Sequence, residues 1–194
     1  MRMRIAPLIL FVFSVSPAAA GLIANGGFET GDFTGWTVSG GAFDCGGATP
    51  GISSNDPHSG TYSACFGNPG TLTFISQTLA TVPGQVYLVS FWYAQQPGNQ
   101  AVANEARVLW GGATIADVTN VSVTPWVSAA FAAAATGAST QLQFGFENVP
   151  GWFAHDEVTV DAVPEPGAGV LCAVGLILLP TLLLRRRTRP VRVS

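Results

Sequence analysis

Residues able to do chemistry are sparse in this 194-residue chain, and most of them are acidic. Between residues 21 and 162 a single cation, Arg107, stands against ten carboxylates, a formal charge of −9. The whole-chain value of −3 hides this, because Arg2, Arg4, Arg185, Arg186, Arg187, Arg189 and Arg192 all lie near the two ends. A segment with one cation cannot hold nucleic acid by neutralising phosphates. Cations, or neutral polar ligands such as sugars, are the compatible partners. The two histidines, His58 and His155, suggest no catalytic group. His155-Asp156-Glu157 sets unlike groups side by side at a strand start, where successive side chains point to opposite faces. There is no Gly-x-Ser-x-Gly elbow, His-Glu-x-x-His pair or phosphate loop. The reading is therefore a non-enzyme. A glycan hydrolase is kept as a third reading, since a glycosidase's two carboxylates can lie far apart in sequence.

Aromatic residues are the groups that could stack on a sugar. Trp92, Tyr93, Trp110, Trp126 and Trp152 are candidates, with Gln95, Gln96, Asn99 and Arg107 as polar partners. Against each stands the alternative of burial in the core. The candidate ligand-binding set is Trp152, Trp110, Tyr93 and Arg107; Trp152, after Pro150-Gly151, has the best prospect of exposure, and Trp36 reads as packing. Cys172 sits in an apolar run and reads as a small filler. A Cys45–Cys65 disulfide would close a loop of about 21 residues and contribute on the order of 3 kcal/mol. The alternative, a two-thiol metal site, lacks histidines at ligand spacing.

Both ends carry address signals. Arg2 and Arg4 precede an apolar stretch from Ile5 to Val15 and the small residues Ala18-Ala19-Ala20, the order of a signal peptide cut after residue 20. At the other end Val163-Pro164-Glu165-Pro166 is followed by an uncharged run, Gly167–Leu184, and by Arg185-Arg186-Arg187-Thr188-Arg189. As a helix the run spans roughly 27 Å, slightly short of a hydrocarbon core of about 30 Å, which predicts one transmembrane helix. The arginines would stay in the cytoplasm and the residues before Pro164 outside. This tail resembles the PEP-CTERM sorting signal of Gram-negative bacteria over 163–189. The resemblance implies handling by the secretion machinery and then by an exosortase, with Pro164, Glu165 and Pro166 as recognition residues. It also implies export across the inner membrane, transient anchoring with the domain in the periplasm, and then the cell surface or extracellular matrix.

The segment between the ends, residues 21–162, is of one-domain length and reads all-β. Gln141 to Glu147 alternates, with Leu142, Phe144 and Phe146 on one face, and Val158 and Val160 alternate with polar residues. Val86–Ala94 is apolar on both faces, which predicts a central strand covered on both sides. Thr71–Leu79, Ala106–Trp110, Thr114–Val118 and Val127–Ala134 are further strands, separated by turns such as Val82-Pro83-Gly84 and Gly111-Gly112. The Ala129–Ala135 run has helical propensity, but its β context argues for a strand. Residues 35–69 read as a surface region with one short strand near Tyr62–Phe66. The expected fold is a jelly-roll-type β-sandwich.

Asn25-Gly26-Gly27-Phe28-Glu29-Thr30-Gly31-Asp32-Phe33-Thr34-Gly35-Trp36, together with Asp156-Glu157-Val158, resembles the opening and closing strands of galactose-binding-like jelly rolls. Several carbohydrate-binding modules share that fold. The resemblance implies a structural Ca²⁺ where first and last strands meet, with Glu29 and Asp156 as side-chain ligands. Carbonyls near Gly27 and in the His58–Thr61 turn would complete the shell. Two functions fit: binding of extracellular polysaccharide, or a structural surface and biofilm-matrix protein without a specific ligand.

Overall fold

The computed structural model describes residues 21–40, 51–67, 70–96, 104–122, 124–148 and 151–164. The expected signal peptide, Cys45, Asn99, and everything from Glu165 through the apolar run to the arginine cluster lie outside these residues. Ten strands follow in order: β1 (Thr37–Ser39), β2 (Ile52–Ser53), β3 (Ser63–Phe66), β4 (Thr73–Ala80), β5 (Val86–Gln96), β6 (Glu105–Trp110), β7 (Ala113–Thr119), β8 (Thr124–Ala134), β9 (Ser139–Glu147) and β10 (Trp152–Ala162). They form two five-stranded antiparallel sheets: a front sheet β1-β4-β9-β6-β7 and a back sheet β2-β3-β10-β5-β8. The chain is a jelly-roll-type β-sandwich, and the described residues contain no helix.

Period-two alternation explains the core. From the front sheet Ile75, Leu79, Val108, Trp110, Leu142, Phe144 and Phe146 point inward; from the back sheet Phe66, Val89, Phe91, Phe153 and Val160 meet them. Phe28 and Trp36 close one end, their rings stacked 5.8 Å apart, and Trp36 Nε1 donates to Asn25 O at 3.0 Å. Fully burying each such side chain contributes about 1.5–3 kcal/mol.

Three expectations are refined. β5 does lie inside its sheet, between β10 and β8, but it is not covered on both sides: Leu88 is 41% exposed and Val86 38%. Among the described residues no second layer lies over that end of the outer face, which is covered near Trp92 by the 53–60 loop. The alanine run is strand β8, a sheet edge with alternating burial. Region 35–69 holds β1 and β2 besides the expected strand at β3. Val163, the first residue of the expected sorting motif, continues the fold, its N donating to Val86 O at 2.9 Å.

Candidate functional site

Of the four residues expected to bind ligand, the structure brings Tyr93 and Arg107 to the lining of one cleft and places Trp110 and Trp152 elsewhere. Trp110 is a core residue, 5% exposed, its ring 5.7 Å from that of Tyr87 and its Nε1 donating to Ala134 O at 3.0 Å. It is not available for stacking on a sugar, because it shares the inward parity of Val108. Tyr93 also has inward parity, with Val89 and Phe91, and borders an apolar cleft of about 440 Å³ between the sheets, with Phe131, Val118 and Val121. Gln95, proposed as a polar partner, is likewise turned inward and is 3% exposed. Arg107 and Trp152 do reach the outside, on opposite faces of the sandwich.

Arg107 lies on the outer face of the front sheet. The strand register builds a continuous row there: Ser39 opposite Phe74, Phe74 opposite Gly145, Gly145 opposite Arg107, and Arg107 opposite Asp117. The next row runs Thr37, Ser76, Gln143, Leu109 and Thr114. With strands about 4.8 Å apart, a row across five strands is roughly 19 Å long. Gly145 is needed in the middle of it. The Phe74 ring lies across this glycine, where any Cβ would collide with three of the ring's carbons. The half-buried ring thus lies over a backbone position with no side chain, and the next strand carries Arg107 opposite that glycine.

Arg107 Nη2 reaches Glu105 Oε1 at 2.5 Å and Asp117 Oδ2 at 3.1 Å. All three groups are partly solvated, so these pairs contribute little stability. They hold the guanidinium in one orientation, and its buried Nε has no hydrogen-bond partner among the described residues. An oriented guanidinium, two carboxylates, the Gln143 amide and an aromatic face can together bind a neutral polyol by hydrogen bonds and stacking. Phe74, Gln143, Glu105 and Asp117 escaped the sequence reading. Their only sequence signal is parity: each is out of phase with the inward residues of its strand.

The outer face of the back sheet is covered differently. Loop 53–60 lies on it, with His58 stacked on Trp92 at 3.8 Å and 16°, its edge against Trp126 at 5.5 Å, and His58 Nδ1 2.8 Å from Glu157 Oε2. Trp126 Nε1 donates to Asp56 O at 3.2 Å. Beyond the loop, Trp152 forms one side of a hollow of about 480 Å³ with Ser53, Asn55, Asp56, Ser63 and Ala154.

Under the same loop lie the two expected calcium ligands. Asp156 is fully buried, and Oδ2 accepts from His58 N at 3.1 Å and Ser59 N at 3.2 Å, while Oδ1 accepts from Glu157 N at 2.7 Å. Burial raises its pKa, opposed by these amide donors. Glu29 accepts from Thr61 N, 3.0 Å from each oxygen, and from Tyr62 N at 3.1 Å. Both carboxylates therefore grip the 58–62 turn, and Gly27 lies between them, its Cβ position 3.8 Å from both Asp156 Oδ1 and Glu29 Cγ. Gly60 has φ +63, and a side chain there would strike the Glu29 carboxylate. The residues fit Ca²⁺ in part. Asp156 Oδ1 and Glu29 Oε2 each accept one amide and keep lone-pair capacity. The remainder of a six- to eight-oxygen shell would fall to carbonyls and water. Among the described residues no group of three or more His, Cys, Asp or Glu gathers.

Cys65 is buried in β3, on the outward parity of the back sheet. Its expected partner Cys45 lies outside the described residues.

No protein-family model matches the chain, and no curated protein does. Solved structures do resemble it. TmCBM61, solved in complex with beta-1,4-galactotriose, is 22% identical with a TM-score of 0.56, over 75% of this chain and 100% of that one. The CBM22-1 xylan-binding domain of Paenibacillus barcinonensis Xyn10C is 19% identical with a TM-score of 0.57, over 78% of this chain and 99% of that one. The enzymatically active domain of Bacteriophage CBA120 tailspike protein 4 is 16% identical with a TM-score of 0.53, over 74% of this chain but 21% of that one. At such identities the likeness establishes the fold, which binding modules share with part of an enzyme.

Proposed function

We propose that this protein is a non-catalytic module that binds neutral extracellular polysaccharide across the outer face of its front sheet. The observation that carries this is the row Phe74–Gly145–Arg107–Asp117, an aromatic platform beside an oriented hydrogen-bonding cluster. The likeness to modules crystallised with galactotriose or described as xylan-binding supports the same reading. The strong acidity of residues 21–162 supports a neutral rather than an anionic glycan. In affinity electrophoresis through gels containing xylan or β-1,4-galactan, the full-length chain should be retarded and Arg107→Ala should run unretarded. Equal mobility of both proteins in every glycan tested would sink the reading and favour a matrix role without a specific ligand.

In this account the tail delivers the domain. The signal peptide directs export, the 167–184 helix holds the domain at the inner membrane, and an exosortase acts at Val163-Pro164-Glu165-Pro166. Mass spectrometry of the mature protein from fractionated cells tests this; retention of Arg185, Arg186 and Arg187 at the cell surface would overturn it. Calcium at Glu29 and Asp156 would join the first residues of the domain to its last strand. Millimolar Ca²⁺ should then raise Tm relative to EDTA, and an unchanged Tm would remove the ion from the account.

A further inference from the structure

We infer that the hollow beside Trp152 is a second, separate binding site, shaped for a single neutral sugar residue at a chain end or branch. Strand parity makes it. Phe153 and His155 are buried inward, so Trp152 and Ala154 point out of the back sheet. On the neighbouring strand Ala154 pairs with Cys65, and Ser63 shares that outward parity. Ser63, Cys65 and Ala154 form its buried floor, and Trp152, half-buried, rises at its edge beside the exposed Asn55 and Asp56. The opposite wall is Ser53, Asn55 and Asp56. The lining combines one indole with hydroxyl, amide and carboxylate groups, the composition that recognises a pyranose by stacking and hydrogen bonding. The carboxylate of Asp56 disfavours an acidic sugar.

The wall is fixed before any ligand arrives. Asn55 N donates to Ser53 Oγ at 3.0 Å, Trp126 Nε1 holds Asp56 O, and His58 and Ser59 donate to the buried Asp156. Asp56 itself has φ +60, a left-handed conformation that these bonds maintain. A preformed wall loses little freedom on binding. Because this hollow opens from the back sheet and the Phe74–Arg107 row from the front, the two sites face away from each other. If the front-face reading above holds, one domain joins two glycan chains; the hollow as a sugar site stands without it.

The test uses the full-length chain with methyl β-D-galactopyranoside and methyl β-D-xylopyranoside as probes, read from indole Nε1 NMR shifts and tryptophan fluorescence. At least one glycoside should give a saturable shift of the Trp152 indole. Trp152→Ala should weaken it by about tenfold or more, as expected for loss of an aromatic anchor, and Asn55→Ala should weaken it less while preserving the fold. Arg107→Ala should leave glycoside binding within about twofold while abolishing retardation in polysaccharide gels, so the two readings fail separately. No saturable shift with either probe, or equal binding by wild type, Trp152→Ala and Asn55→Ala, overturns the inference.

Discussion

Acid should destabilise this fold through His155, and the size of the effect follows from its surroundings. The ring is fully buried among Phe28, Phe66, Phe91, Phe144 and Phe146, with centroids 4.5 to 6.4 Å away. Neither ring nitrogen has a well-formed hydrogen bond among the described residues. Desolvation lowers its pKa from 6.5 to about 3, opposed by the backbone of Trp92. The imidazole is therefore neutral in the folded state, while the unfolded chain takes up a proton below about pH 6.5. Where the unfolded state binds more protons, stability rises with pH, so stability falls as pH drops from 6.5 toward 3. At pH 5 the unfolded state gains about 1.5 pKa units of protonation, roughly 2 kcal/mol; at pH 7 the effect is near zero. Urea unfolding of wild type and His155→Phe at both pH values isolates this contribution. The larger ring introduces a packing cost that does not depend on pH and cancels in the double difference. We expect the variant to gain about 2 kcal/mol relative to wild type between pH 7 and pH 5. Identical pH dependence in the two proteins would refute the assignment of a neutral buried histidine.

Asp156 predicts the opposite sign. Its raised pKa means that the folded state holds its proton more tightly, so its desolvation penalty is present at neutral pH and relieved as pH falls through the raised value. Asp156→Ala would leave three backbone amides without their acceptor and should cost about 3 kcal/mol in denaturant unfolding at pH 7; a loss under about 1 kcal/mol would show that the 58–62 turn does not depend on it. Gly145→Val should displace the Phe74 ring and lower Tm by several degrees, and a glycan-binding variant with an unchanged Tm would count against the packed row. Peptide mapping of the unreduced protein should recover Cys45 joined to Cys65, and free alkylated thiols at both positions would dismiss the bridge.

Much of the fold was legible because strands record their own burial. Gln141 to Glu147 shows its period in the sequence, and its apolar residues do point inward. The turn residues marked where strands end. The two-residue β2 and three-residue β1 were too short to show a period. The site was less legible, since aromatic identity does not report parity. Trp110 follows Val108 into the core, whereas Arg107 between them points out. The row Ser39–Phe74–Gly145–Arg107–Asp117 draws one residue from each of five strands, and only sheet order and register bring them together. Glu29 and Asp156 were singled out only through the resemblance carried by the domain's two ends. Their hold on the 58–62 turn depends on a loop far from both in sequence.

Glycan binding on the outer face of the front sheet can be read directly from the protein in solution. Backbone amide shift mapping of the isotope-labelled full-length chain, titrated with xylo- and β-1,4-galacto-oligosaccharides, examines it residue by residue. Saturable shifts should concentrate at Phe74, Arg107, Asp117 and Gln143 with at least one of these sugars. Shifts confined to other surfaces, or none with any neutral oligosaccharide, would contradict it.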